Sequence, residues 1–222
     1  RSKDLHRKIV TSSVYLQRSD HHAANSAIDA SNQYLWRMNR RRLEAEAIRD
    51  SVLQVSGKLD PKMGGPGFQL FGLIDDHSPH YLYEKYNPDD PASHRRSIYR
   101  FIVRSVPDPW MTTLDCADST LLVDRRNETL TALQSLAMLN NRFMLRMSEN
   151  VANRIQQEAE RVDGGFSTSS KEDRQVTIAY RTLFQRSPSP NEREVIREVI
   201  QRLGLPQACR LLMNSNEFVF VD

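Results

Sequence analysis

Three stretches of the chain carry residue types that could do chemistry. The first, "LWRMNRRRLEAEAIRDSVL" (Leu35 to Leu53), places four arginines between Arg37 and Arg42, then alternates Glu44, Glu46, Arg49 and Asp50. A run of guanidinium groups could bind a polyanion. Asn39 reads as a helix N-cap, which predicts Arg40, Arg41 and Arg42 in the first turn, where each cation opposes the helix dipole by roughly 0.3–1 kcal/mol. That opposition calls for an anion, and the same helix offers Glu46 four residues after Arg42 and three before Arg49. Acid and base interleave along this face, which a polyanion-binding helix would avoid. Internal Arg–carboxylate pairing is therefore the favoured reading, and polyanion binding through Arg40, Arg41 and Arg42 the weaker alternative.

The second stretch, "IDDHSPHYLYEKYNPDD", gathers Asp75, Asp76, His77 and His80, with Asp89 and Asp90 further on. These are ligand types for hard and borderline metals, but the spacing matches no metal motif, and a hydrophilic loop rim is the simpler reading. The third, "LDCADSTLLVDRRNET", holds Asp115, Asp118, Asp124, Arg125, Arg126 and Glu128. Paired carboxylates could perform acid–base catalysis, yet adjacent arginines lower carboxylate pKa values and suit ion pairs better. Arg42, Glu46, Arg49 and Asp50, with Asp115, Asp118 and Arg126, form the candidate polar cluster. No Gly-rich phosphate loop, nucleophile elbow or HExxH is present, and "GGPG" lacks the strand and helix that frame a phosphate site. Without a CxxCH, the segment attaches no c-type haem.

The totals narrow the classes further. A chain of 222 residues can build a proper core, and 39% hydrophobic residues with a mean hydropathy of −0.60 describe a globular protein with a well-solvated surface. No apolar run reaches the length of a membrane span. The net charge of +3 is too small and too dispersed for a dedicated duplex-DNA binder, so nucleic acid is not the expected partner. The basic residues are 25 Arg and 6 Lys. Arginine pairs carboxylates bidentately and tolerates partial burial, so internal pairing again fits, although coding bias would produce the same excess.

The elements that must position these residues are mostly helical. Residues 2–17 read as a helix with Ser2 as cap and Leu5, Ile9 and Leu16 near one face; residues 18–32 read as a polar loop. Residues 40–56 read as a helix burying Leu43, Ala47, Ile48, Ser51, Val52 and Val55, stopped by Gly57. From Lys58 to Arg96 the periodicity fails, but Phe68, Phe71, Tyr81, Tyr83 and Tyr86 supply enough apolar area for a long ordered loop. "SIYRFIVRSV" alternates like a strand and could pair with "TLLVD" in a small hairpin. Thr131 and Gln134 have capping-box spacing, and Asn141 is a good N-cap, so the apolar series Leu136, Leu139, Phe143, Met147, Val151 and Ile155 is split into two helices. Val176 to Leu183 defines another helix. "SPSPNERE" starts the next, with Ser189 as cap, Pro190 first and Glu192 third. A last short helix carries Cys209 and Leu212. The expected fold is mainly α: an irregular multi-helix domain over residues 1–222 with a long ordered loop and one small β-hairpin, and residues 165–222 as a helical C-terminal subdomain.

Several stretches, in order, carry a family resemblance: "LHRKIVTSSVY", "NQYLWRMNRRRLEAEAIRDSVLQVSGKLD" with "MGGP", "RRSIYRFIVRSVPDP", "LDCADS", "LTALQSLAMLNNRF" and "CRLLMNSNEFVFVD". Together they resemble the C-terminal domain of unknown function of large planctomycete multidomain proteins. The resemblance implies export to the periplasm or cell envelope, a separate N-terminal cytochrome-c-like domain that would hold the haem, and no cofactor in this segment. It implies the other domains of the same polypeptide, and glycans, as partners. It supplies no catalytic residues. Where this chain has Ala132 and Arg142, family members usually have proline, at two expected first helical positions. The family domain usually begins earlier, with a segment rich in Arg, Asn and Trp, so this chain is expected to be N-terminally truncated.

Export would place Cys116 and Cys209 in an oxidising compartment. One pairing is available to them; two separate buried thiols are the simpler alternative, because nothing in the sequence brings the two within bonding distance. The favoured function is a non-catalytic interaction or scaffold module of an exported multidomain protein. The alternatives are an enzyme domain acting on polysaccharide, with Asp115 or the Asp75–His80 loop in its cleft, and the polyanion binder. Whether this segment is an enzyme stays open, with the residues leaning against it.

Overall fold

A computed structural model describes residues 1–74, 76–122, 126–162 and 170–221. It is mainly α, with short antiparallel strand pairs. By backbone contacts the chain divides into two compact units, Arg1–Leu43 with the terminal strand, and Glu44–Val219.

The first unit contains α1 (Ser2–Val10), α2 (Ala23–Ile28) and strand β1 (Arg41–Arg42), which pairs antiparallel with the terminal β4 (Phe220–Val221). Helix α1 is shorter than its periodicity predicts. Arg1, not Ser2, is its cap residue, and Thr11 and Ser12 end it by donating their hydroxyls to the carbonyls of Arg7 and Ile9. The expected 18–32 loop holds α2, capped by the His22 ring accepting from Asn25 N. The larger correction concerns the arginines. Arg41 and Arg42 lie in β1, opposite Val221 and Phe220, and the following helix starts only after Glu44. Their predicted place in the first turn of that helix is therefore not taken up: strand pairing with the far end of the chain overrides local spacing.

The second unit is built on α3 (Ala45–Val55), α5 (Ala132–Asn140), α6 (Arg142–Val162), α7 (Lys171–Phe184), α8 (Pro190–Leu203), α9 (Leu205–Met213) and α10 (Asn216–Val219); a short α4 (Pro109–Thr113) precedes α5. Met144, Met147, Val151 and Ile155 recur at helical spacing along α6 and are fully buried. Helices α7, α9 and α3 pack against α6, and α3 buries Ile48 and Val52. The split between α5 and α6 is as predicted: Thr131 and Gln134 form a capping box, and Asn141 Oδ1 accepts from Phe143 N at 2.8 Å. Leu136, expected inside, is exposed, while Gln134 and Met138 take the buried side of α5. Ser189, Pro190 and Glu192 begin α8 as the sequence predicts.

The segment from Lys58 to Arg96 contains the hairpin. Strands β2 (Gly72–Ile74) and β3 (His80–Leu82) pair with Leu73 opposite Tyr81. Phe71 sits edge-on to Tyr81, Tyr83 and Phe101, at 5.1, 5.6 and 6.2 Å between ring centres. The predicted strand at "SIYRFIVRSV" is not a ladder strand. Ser97–Tyr99 is a 3-10 turn, and Phe68 bridges the segment, donating to Tyr99 O and accepting from Phe101 N. A Cβ on Gly67 would stand 2.9 Å from Tyr99 O, so this approach requires glycine. Asp124, the end of the proposed partner "TLLVD", lies outside the described residues, and Leu122 is fully exposed.

Candidate functional site

Helix α3 turns Arg49 inward between Ile48 and Val52, and the side chain is 1% exposed. Its guanidinium donates to Arg95 O at 3.0 Å, to Ser97 Oγ at 3.2 Å and to Ser93 O. Phe68 and Phe143 face it, with ring centres 5.0 and 5.6 Å from the guanidinium carbon. Burial pulls its pKa down, while Tyr86 and Asp50 oppose the fall. Asp50 stands 3.7 Å from Arg49 and accepts from both the backbone and the hydroxyl of Ser97 at 2.7 Å. Arg95 continues the pattern, donating to Pro66 O and Gly64 O and lying 4.1 Å over the Tyr99 ring. Arginines bonded to carbonyls thus pin the segment that lacks periodic structure.

Beside Arg49 lies a cavity of about 220 Å³, walled by Tyr83, Tyr86, Trp110 and Phe143 and also lined by Asp108. Asp108 caps α4, its Oδ1 accepting from Trp110 N at 2.9 Å and Met111 N at 3.3 Å. Burial raises its pKa; the two N–H groups and the Arg100 guanidinium, 4.0 Å from Oδ2, pull the other way. Among the described residues, Trp110 Nε1 is buried without a hydrogen-bond partner. Tyr83 donates its hydroxyl to Val106 O at 2.7 Å, and Tyr86 shares a bond with Ser93.

The PSD1 family model, described as "Protein of unknown function (DUF1553)", matches residues 1–200. The chain belongs to this family. No curated protein and no solved structure matches it. The family description carries no activity to this PSD1 chain, so its site rests on geometry.

The predicted polar cluster is dispersed. Glu46 and Arg126 meet at 2.8 Å, and Arg126 also reaches Glu44 at 3.4 Å. Burial pushes Glu46 up, but Arg126 outweighs it and holds the carboxyl below its usual range. Cys116 Sγ donates to Glu46 at 3.4 Å and accepts from Arg100 at 3.3 Å; burial and the Glu46 charge push the thiol up to about 11, so it is not a thiolate nucleophile. Asp115 is turned elsewhere, accepting from Thr129 N at 2.8 Å and Gln134 Nε2 at 2.9 Å. Asp118 accepts from the Thr120 hydroxyl at 2.7 Å and Thr120 N at 2.8 Å, which lowers its pKa. Arg42 belongs to the other unit, and Arg40, Arg41 and Arg42 all take part in intramolecular interactions.

Of the metal candidates, His80 Nε2 and Asp76 Oδ1 stand 3.7 Å apart, His77 is exposed, and Asp75 lies outside the described residues. Among the described residues no group of three or more His, Cys, Asp or Glu is placed to hold a metal. Cys116 and Cys209 are separate free thiols, Cys209 fully buried in α9. The cavity residues Asp108 and Trp110 were missed because α4 has only five residues and shows no period. "DPW" is nonetheless a cap signal, an Asp before a Pro at the first helical position.

Proposed function

We propose that this chain is a non-catalytic interaction or scaffold module of an exported planctomycete-type multidomain envelope protein, in which a separate cytochrome-c-like domain holds the haem. The carrying observation is the use of the candidate carboxylates. Glu46 is bonded to Arg126, Asp50 to Ser97, Asp115 to Thr129 and Gln134, Asp118 to Thr120, and Asp108 to the start of α4. Each anchors a loop or a helix end, which is structural work. The partners are the other domains of the same polypeptide, and glycans. Among the described residues no helix is long and apolar enough to cross a membrane.

The second reading is an enzyme acting on polysaccharide. On its side is a cavity that joins the 83–86 turn to a carboxyl, Asp108, whose pKa burial raises. The test incubates the full chain with a panel of envelope and plant polysaccharides and reads reducing-end release, while titrating it with the remaining domains of its polypeptide. The module reading expects saturable binding and no release. Release abolished by Asp108→Asn in a folded protein would install the enzyme reading instead.

A further inference from the structure

Residues 1–43 of the first unit bury only Ser19, Asp29 and Asn32; no apolar side chain among them is buried. Ordering a backbone costs conformational entropy that a buried apolar core normally offsets, and these residues supply no such core. Their apolar side chains face outward instead. On α1, Leu5 and Ile9 stand four apart on one face, both exposed, with Lys3 and Arg7 four apart on the opposite face and Lys8 at the flank. The 29–37 loop is built to present two more. The buried Asp29 carboxylate accepts from Gln33 N at 3.0 Å and Tyr34 N at 2.8 Å, and buried Asn32 donates its amide to Arg37 O at 2.8 Å. Tyr34 and Leu35 stand outside this frame, 83% and 60% exposed, and Leu35 is held at φ 53°, a left-handed conformation that leucine rarely adopts. Gln17 Nε2 donates to Leu35 O at 2.7 Å, and Met38 N to Arg18 O at 3.0 Å, so the tip is tied beside the exposed Tyr15 and Leu16.

Charge says what covers this surface. Residues 1–43 hold nine Lys and Arg against three Asp, a net of +6, while the rest of the chain is net −3. Arg40, Arg41 and Arg42 are engaged within the protein, and Arg18 pairs with Asp20, but Lys3, Arg7 and Lys8 make no ion pair among the described residues. The core of a protein–protein interface is depleted of charged residues. Here unpaired cations alternate with Leu and Ile inside two helical turns, and the fully exposed aromatics are tyrosines, whose hydroxyls suit polar headgroups. A bilayer surface accepts both: apolar side chains enter between the lipids while the Lys and Arg stems carry their charges back to the phosphates. So few apolar side chains hold a membrane only weakly, which makes negative lipid charge a second requirement. We propose that the Leu5–Ile9 face of α1 and the Tyr34–Leu35 tip, flanked by Lys3, Arg7 and Lys8, dock onto an anionic phospholipid surface. This adds a lipid partner to the module reading and does not rest on it, since the carboxylates that carry that reading all lie in Glu44–Val219.

The experiment sediments the full chain with vesicles of phosphatidylcholine alone and of phosphatidylcholine with about one-third phosphatidylglycerol, at about 0.1 M and about 0.5 M salt. Leu5→Gln with Ile9→Gln removes the apolar face, Lys3→Gln with Lys8→Gln the charge, and Tyr34→Ser with Leu35→Gly the tip. None of these side chains is buried, so each double variant keeps a Tm no lower than that of the wild type. Anionic vesicles are expected to bind about tenfold or more tighter than neutral ones, with most of that difference lost at the higher salt and each double variant weakening anionic binding about fivefold or more. No binding to anionic vesicles, equal binding to neutral ones, or binding unchanged in the apolar and charge variants would each overturn the proposal. So would capture of the parent polypeptide's remaining domains, lost in Leu5→Gln with Ile9→Gln, by a chain that binds no vesicle: the surface would then be a protein interface, and the module reading would stand without the lipid.

Discussion

Arg49 and Arg186 are the same residue in nearly the same aromatic setting, each facing two rings. Arg49 lies 5.0 and 5.6 Å from Phe68 and Phe143, and Arg186 lies 5.1 and 5.9 Å from Tyr180 and Phe184. They differ in what satisfies their N–H groups. Arg49 is buried and bonds to two carbonyls and a hydroxyl, with Asp50 only at 3.7 Å. Arg186 is 39% exposed and bridges two carboxylates, donating to both oxygens of Glu192 and both of Glu217 at 2.6–2.9 Å. The first arrangement is a directional cross-link between a helix and an irregular segment. The second is an electrostatic clamp joining the start of α8 to α10. Burial makes the first strong and indifferent to conditions; exposure and formal charge make the second weaker and sensitive to salt and acid.

Arg49→Ala attacks that distinction hardest. It strips the donor from three oxygens inside the protein and should cost about 3–5 kcal/mol in urea unfolding at pH 7. Arg49→Lys should recover less than half of this, because a single ammonium lacks the planar fork that reaches all three acceptors. A loss below about 1 kcal/mol would show the cross-link to be incidental. Arg186→Leu should cost less, about 1–2 kcal/mol at low ionic strength, because solvent already screens the clamp. In 1 M salt that deficit should shrink by half or more while the Arg49→Ala deficit stays.

Acid separates the two sites further. The Arg186 hydrogen bonds hold Glu192 down to about 2, well below an ordinary glutamate. A carboxylate with a lowered folded pKa stabilises fully above its unfolded value of about 4.3 and loses that contribution as pH falls through the folded value. The gap between wild type and Arg186→Leu should therefore close between about pH 4 and pH 2. The Arg49→Ala gap should not follow it, since the Arg49 acceptors are neutral; parallel curves for both variants would break the comparison. The smallest effect is Ser189→Ala, which removes the reciprocal cap with Glu192 and should cost about 1 kcal/mol. Because Glu192 serves both the cap and the clamp, the double variant Ser189→Ala with Arg186→Leu should lose less than the sum of the two single losses.

Part of the candidate site was legible and part was not, and the division follows the distance along the chain. The aromatics of the 68–86 stretch announce a packed loop, and Phe71, Tyr81 and Tyr83 do cluster. Glu46 was read against Arg42 and Arg49, its neighbours in sequence, whereas Arg126, 80 residues on, bonds it at 2.8 Å. Arg49 was read as one charge in an interleaved acid–base helix face, yet its acceptors are 44 to 48 residues away, and no local spacing points to them. Its burial is the exception that a helical pattern of polar residues conceals.

By itself the sequence determined the mainly helical class and the helix boundaries that close over three or four residues: Thr131 with Gln134, Asn141 before α6, Ser189 with Glu192. Those hydrogen bonds link groups already neighbours in the chain, so residue type and spacing suffice to specify them. Only the tertiary structure decided that Arg41 and Arg42 form a strand with Phe220 and Val221, that Arg49 points inward, and that Trp110, Asp108 and Phe143 enclose a cavity. Each depends on groups far apart in the chain. Their meeting is set by how the buried stripes of α3, α6 and α9 pack, and a buried donor or acceptor then takes the partner that packing brings to it.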